Sequence, residues 1–328
     1  MGLIIMKKTT LYTAIVGSIL SASVVHAAPT FDGNVELNTD AIATSESADK
    51  STEAKTIFKQ DGRVELNTHG KHTSGDNFIE GKATIALKTN GATGVDDSYV
   101  KIGGKSWDVQ LGNFEGMDLF PKGKDTVLEH AGNVGVYSAS EARGRAGGNG
   151  GQIALHFKAS DSLSFELGTV LAQGDKETAF SGVRPVIEFK AGSATFRAGY
   201  ESIKYDKDAT TEVSQTGYGL TAGFNVAGAN INISVAQLDD DISKEEVSSF
   251  GVNMTHGNFG LGVISSTEDN ATGDDPSVMS TYVAYSMPIF DIENATLTLA
   301  SSFSTADDVE ATKSDETVAT RVRVNYTF

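Results

Sequence analysis

The chain has 328 residues, with 35 glycines, 5 prolines, no cysteine and a formal net charge of −17. A hydrophobic share of 39 % is too high for a disordered chain, and the lack of cysteine excludes a disulfide framework and any thiolate metal site. The acidic balance disfavours nucleic acid as a partner, and past the N-terminus no run reaches the roughly 18 apolar residues of a spanning helix.

The N-terminus has the three parts of an export signal. Lys7 and Lys8 form a positive region, which makes Met6 a plausible start. Residues 11–25 are apolar but too short to span a membrane, and Val25-His26-Ala27 offers small residues at the two cleavage positions. Residues 1–27 are expected to be a signal peptide and 28–328 the exported domain.

From there on, apolar residues recur every second position, the period of a strand with one apolar and one polar face. The sets begin with Val35, Leu37; Val64, Leu66; Ile79, Ala83, Ile85, Leu87; Val100, Ile102; and Trp107, Val109, Leu111. Later sets include Ile153, Leu155, Phe157; Phe165, Leu167; Ile187, Phe189; Tyr218, Leu220; Ile231, Ile233, Val235; Val252, Met254; Leu261, Val263; and Leu297, Leu299. Counted this way there are sixteen segments, of roughly 8–12 residues each, near the length of tilted membrane strands. The phase of segment 278–287 is open.

Connections alternate in length, as in barrels with short periplasmic turns and longer outer loops. Short links fall at Gly103-Gly104-Lys105, Ser160-Asp161, Ala191-Gly192, Ala227-Gly228 and Gly257-Asn258. Long ones fall at 41–54, 173–181, 205–214, 239–246, 267–276 and 306–316. Two links break the contrast: 69–76 is long for a turn, and 90–97 is short for a loop. The outer loops are acidic, as in Asp239-Asp240-Asp241. Solvation explains these carboxylates best; bridging to lipopolysaccharide through divalent cations is the alternative.

The final segment, 318–328, alternates Val318, Thr320, Val322, Val324, Tyr326, Phe328 against Ala319, Arg321, Arg323, Asn325, Thr327. Its aromatics stand where an interfacial girdle belongs. A terminal Phe328 after alternating apolar residues resembles the signal read by the outer-membrane barrel assembly machinery.

Residues 114–151, between the fifth and sixth segments, form the longest connection and by alternation the third outer loop. Sixteen strands with a long third loop resemble the trimeric general-diffusion porins of Gram-negative bacteria. The resemblance implies an all-β fold: a 16-stranded antiparallel transmembrane β-barrel with the long third outer loop folded into the lumen. It also implies an outer-membrane location, a homotrimer, contacts with membrane lipid and lipopolysaccharide, and passive diffusion of small hydrophilic solutes and ions. The family's loop often has a Pro/Glu/Phe/Gly stretch at the constriction. Here Gly116-Met117-Asp118-Leu119-Phe120-Pro121-Lys122-Gly123 keeps Phe, Pro and Gly in another order. The family's second loop often latches a neighbouring subunit, whereas here it is short.

A barrel of about sixteen strands leaves a water-filled channel. Arg63, Lys82 and Lys101 lie on predicted strands two to four, and Arg321 and Arg323 on strand sixteen. If the barrel closes, these five share one wall. An inward third loop would set Glu115, Asp118, Asp125 and Glu129 opposite them, beside Phe120 and with Lys122, Lys124, Arg143 and Arg145 mixing its sign. The resulting field would orient dipolar solutes. The inward positions as a whole carry nine bases (these five with Lys158, Arg184, Lys190, Arg197) and seven acids (Glu36, Glu65, Glu80, Asp108, Glu166, Glu188, Glu201). Nine against seven is too close to assign anion or cation selectivity.

No enzyme site emerges. His69-Gly-Lys-His72 as a metal pair falls in a predicted solvated turn, and His130, in the third loop, is a candidate pH tuner. Gly147-Gly148-Asn149-Gly150-Gly151 lacks the Lys-Ser/Thr of a phosphate loop. No cofactor, metal or catalytic residue is expected. Two other readings stand beside the porin: a secreted or surface β-sandwich adhesin, and an outer-membrane barrel enzyme.

Overall fold

A computed structural model describes residues 29–124, 126–144, 151–171, 180–206 and 211–328. The expected signal segment, Asp125, Arg145 and residues 147–150 of the glycine run lie outside them.

Sixteen strands follow one another: β1 (Thr30–Thr44), β2 (Lys55–Ser74), β3 (Asn77–Lys88), β4 (Thr93–Gly103), β5 (Trp107–Asn113), β6 (Gln152–Lys158), β7 (Leu163–Leu171) and β8 (Phe180–Ala191). Then come β9 (Ala194–Asp206), β10 (Glu212–Val226), β11 (Ala229–Asp240), β12 (Glu246–His256), β13 (Phe259–Asp269), β14 (Ser277–Pro288), β15 (Ala295–Asp307) and β16 (Glu316–Thr327). Each pairs antiparallel with its sequence neighbours, and β1 pairs with β16, so the sheet closes on itself. Closure removes both edges, leaving no unpaired strand backbone to face lipid. The expected count of sixteen is borne out, and the β-sandwich reading falls with it.

Period-2 alternation explains which face is which. Cross-strand neighbours on the outer face match in character: Leu66 opposes Ile85, Ile79 opposes Ile102, and Leu155 opposes Leu167. These side chains are exposed and form an apolar belt around the barrel. At the end holding the short turns, aromatics pair along the belt's rim. Phe157 lies 6.5 Å from Phe165, Phe259 4.6 Å from Tyr285, and Tyr326 5.7 Å from Phe328. The opposite end holds the longer loops.

The structure corrects several boundaries. The first loop spans 45–54 rather than 41–54, because Ala41, Ile42 and Ala43 pair with both β2 and β16. The link at 69–76 shrinks to Gly75-Asp76, with Gly75 at φ +58°, so His69 and His72 are strand residues. Segment 278–287 acquires its phase: Met279 and Val283 are exposed, while Val278, Tyr282 and Ala284 are buried on the inner face. At the β10–β11 turn Ala227 and Gly228 both have positive φ, +49° and +83°. That is the type I′ geometry that matches strand twist.

Candidate functional site

The inner face divides into two arcs. On the arc β16–β1–β2–β3–β4–β5 many of the inward residues are charged, and every base of the expected basic wall has a carboxylate partner. Arg321 makes a two-pronged pair with Asp40, at 2.7 Å on both oxygens. Arg323 Nη1 lies 3.6 Å from Glu36 and its Nε donates to Asn38 at 2.7 Å. Arg63 pairs with Glu65 at 2.8 Å, Lys82 with Asp97 at 2.8 Å, and Lys101 with Asp108 at 3.9 Å. The five bases do share one arc, yet that arc is an ion-pair ladder rather than a free positive surface. Asp40, Asp61 and Asp97 stand outside the alternating apolar runs because β1, β2 and β4 extend beyond them.

On the arc β11–β16 much of the inner face is built from small residues. Ser234, Ala236, Ser249, Ser266, Ser280, Ala284, Ala300, Ser302, Ser304, Ala306 and Ala319 are all buried there. What buries them is the segment 114–144. Leu119, Phe120, Tyr137 and Ala139 pack with Val186, Ala236, Val247, Ile264 and Tyr282. Val127 packs with Ala284, Ala300 and Ala319, and Ala131 and Val134 with Val278 and Ala306. The approach is close enough to need glycine. A methyl group on Gly251 would lie 2.8 Å from the Phe120 ring, and one on Gly219 would lie 2.7 Å from Ala139 Cβ. Strand hydroxyls meet the loop's backbone: Ser249 accepts from Tyr137 N and Ser304 from Ala131 N, both at 2.9 Å. These bonds satisfy loop amides that burial would otherwise leave unpaired.

One buried arginine ties this segment to the wall. Arg184 of β8 is 1 % exposed. It donates to the carbonyls of Met117 (2.8 Å) and Ala139 (3.1 Å), and it pairs with Glu166 at 3.4 Å and Glu201 at 3.7 Å. Glu166 accepts from Met117 N at 3.0 Å, and Glu201 accepts from Ala142 N at 2.9 Å and from the Tyr137 hydroxyl. The sequence reading counted Arg184, Glu166 and Glu201 among lumen-lining charges. They lie instead beneath the loop, which takes one base and two acids out of that balance.

The loop candidates fare differently from one another. Glu115 pairs with Arg143 at 3.1 Å, and Asp118 lies 4.0 Å from the same guanidinium while accepting from Phe120 N at 3.0 Å. The carbonyl of Lys122 accepts from the Tyr282 hydroxyl at 3.0 Å, and the Lys124 stem sits over Gly260. Among the described loop candidates only Glu129 reaches the charged arc, 3.3 Å from Lys59 of β2. Glu115 and Asp118 therefore pair within the loop and Glu129 with Lys59, and none of these three is paired with the five bases. Lys59 carries no sequence signal because β2 begins at Lys55, well ahead of its alternating apolar residues Val64 and Leu66.

The match with known proteins agrees with this geometry. Residues 31–328 match the family described as porin-like glycoporin RafY. The chain belongs to that porin family. No curated protein matches it in sequence. Among solved structures, an anion-selective porin from Comamonas acidovorans aligns with TM-score 0.64 at 12 % identity, over 92 % of this chain and 99 % of that one. The trimer form of OmpT, an outer-membrane protein of Vibrio cholerae, aligns with TM-score 0.63 at 14 % identity, over 92 % and 99 %. A mutant of the Rh. blastica porin aligns with TM-score 0.56 at 14 % identity, over 92 % and 100 %. Family and fold together make this an outer-membrane porin channel.

The histidines of this porin hold no metal set; among the described residues no group of His, Asp and Glu is placed to bind one. His69 pairs with Glu80 at 3.3 Å on the inner face, while His72 opposes the outward Ile79. Residues three apart on a strand point to opposite faces, so the two never share a ligand. His156 bridges Asp108 (2.6 Å) and Glu166 (3.3 Å) and so connects the ladder to the Arg184 cluster. His130 Nδ1 meets the Ser280 hydroxyl at 2.7 Å, and burial, with Lys122 nearby, pushes this imidazole down to about 4.

Proposed function

We propose that this porin is a passive, loop-narrowed channel for small hydrophilic solutes and ions, and not an enzyme. The observation that carries this reading is the path of segment 114–144. It lies against the small-residue arc from β11 to β16 and against Val186 of β8, and leaves the ion-pair ladder as the principal free lining. The passage then runs between the loop's outer surface and β1–β5. Charges of both signs, already paired, solvate a polar solute without binding any one ion tightly, and they make entry of an apolar one costly. The carboxylate network includes no placed nucleophile, and Asp108 and Glu166 hold His156 from both sides.

The narrowing makes the five bases useful probes. Neutralising Arg63, Lys82 and Arg321 together takes the paired cation from Glu65 and Asp97 and leaves Asp40 facing Lys59, 3.7 Å away. In a planar bilayer with a salt gradient the reversal potential should move toward cations. An unchanged potential would sink the placement of the passage along this arc.

We infer a homotrimer, with subunits meeting through the apolar outer belt. The second loop, 89–92, is too short to serve as a latch. Cross-linking in outer-membrane vesicles tests this, and a ladder that stops at one subunit overturns it. Contact of the acidic loops with lipopolysaccharide, and recognition of Phe328 by the barrel assembly machinery, belong to the same proposal. A Phe328→Ala variant that reaches the outer membrane at the normal level would remove the second of these.

A further inference from the structure

The tip of the third loop, 129–134, is met by another outer loop as well as by the barrel wall. Segment 308–315, between β15 and β16, is the eighth outer loop. Gly132 N donates to the Ser314 carbonyl at 2.9 Å, and Val309 packs against the buried cluster of Ala131, Val134, Val278 and Ala306. The junction is tight. Gly132 has φ +69°, and a methyl group on it would lie 2.9 Å from Ala306 Cβ and overlap Val309. The eighth loop is in turn tied to the first, 45–54. Asp49 N donates to the Ala311 carbonyl at 3.1 Å, Thr52 Oγ1 to the Thr312 carbonyl at 3.0 Å, and Ser314 Oγ to the Ser45 carbonyl at 2.7 Å. Both loops grow from β1, β15 and β16, which pair in register, so they form one unit with the wall. A polar cavity of about 320 Å³ lies between this unit and the tip, bordered by Thr52, Lys55, Glu129, His130, Asn133 and Lys313. Contact between strap and tip is therefore concentrated at Gly132 and Val309.

We propose that the joined first and eighth loops are an outer strap that keeps the tip of the third loop on its bed, so that a displacement of segment 308–315 changes how often the channel closes. The inference rests on the channel reading above and adds the part that governs the channel's steadiness. Arg184 fixes the third loop near Met117 and Ala139, well before and after the tip. The tip itself rests on β14 and β15 through His130 with Ser280 and Ala131 N with Ser304. From the strap it receives the Ser314 bond and the Val309 contact. A hold made of so few contacts opens and recloses more readily than the strand ladder, and an opened tip enters the passage.

The test is single-channel recording of the intact protein in a planar bilayer, counting brief closures at a fixed voltage. Val309→Ser should raise their frequency about fivefold, the effect of one truncated apolar contact. Gly132→Ala, which pushes the tip off the strap, should raise it at least as far. The double variant should be no noisier than Gly132→Ala alone, because two changes that break one contact do not add. Thr52→Val loosens the strap from the first loop without touching the tip and should give a smaller rise of the same sign. Mean open current equal to wild type shows that a variant has folded, and Thr52→Val serves where Val309→Ser does not insert. Closure rates equal to wild type in these variants, or additive effects in the double variant, overturn the strap and leave the channel standing. Absence of any conductance in the wild type overturns both.

Discussion

Arg184 Nη1 lies 3.4 Å from Glu166 Oε1, with both side chains under the third loop and out of reach of the channel. The pair is a mount. Its hydrogen bonds go to loop backbone at Met117 and Ala139, so a charge pair on β7 and β8 sets where the loop lies.

Breaking that mount from one side should be costly. Arg184→Met removes the cation that Glu201 and Glu166 share and leaves Glu166 with His156, a loss of about 3–5 kcal/mol. The folded barrel should persist, because its strand ladder is untouched, while the loop becomes open to protease. Limited proteolysis of the folded protein, read with the temperature at which its heat-modifiable band shifts, checks this. Resistance equal to wild type would refute it.

Steric unseating should produce a similar outcome without any change of charge. Gly251→Leu puts a side chain where the Phe120 ring lies, 2.8 Å from the first added carbon. Protease access to the loop should rise, while Gly251→Ala should show a smaller effect of the same sign. The sizes should rank with the volume added.

Lys59→Met removes the cation that Glu129 contacts, while Asp40 keeps Arg321. Both Lys59 and Glu129 are solvent-exposed in part, so stability should change by less than about 1 kcal/mol. The reversal potential should nevertheless move toward cations, since an acid at the loop's far reach loses its neutralising partner.

The pH response through His130 has a definite sign. In a released loop this imidazole would titrate near its ordinary 6.5, whereas in the seated loop burial lowers it to about 4. The released form therefore takes up a proton that the seated form refuses. Seating is at full strength above about pH 6.5 and weakens as pH falls toward 4. Open-channel noise should be flat from pH 8 to 7 and grow as the pH is lowered from 6 toward 4, and His130→Gln should remove that rise. Identical wild-type and variant profiles would show that another group is responsible.

At the β10–β11 turn, Ala227 holds φ +49°, which a non-glycine residue adopts at a cost. Ala227→Asn creates the Asn-Gly pair favoured in type I′ turns and should stabilise the barrel by roughly 0.5–1 kcal/mol. An upward shift of the heat-modification midpoint, with conductance unchanged, is the expected reading.

Sixteen strands, their two faces and the alternation of short and long connections were legible in the sequence, because strand pleating projects side chains with a period of two and lipid selects the outer set. Leu66, Leu155 and Phe157 announced themselves in this way. The phase of β14 did not, because Tyr282 is a large aromatic on the inner face, where it reaches the loop. The loop's bed was harder still. Serine, alanine and glycine at 217–319 look like inert filler until the chain closes and segment 114–144 is found lying on them. In the same way Arg184 looked like any inward base, and the five bases of the charged arc looked unopposed. Which acid answers which base, and which arginine lies under a loop and which lines a channel, depends on strands far apart in sequence meeting across a closed barrel. Local periodicity determines the faces of each strand; register and closure, which only the tertiary structure supplies, decide what those faces meet.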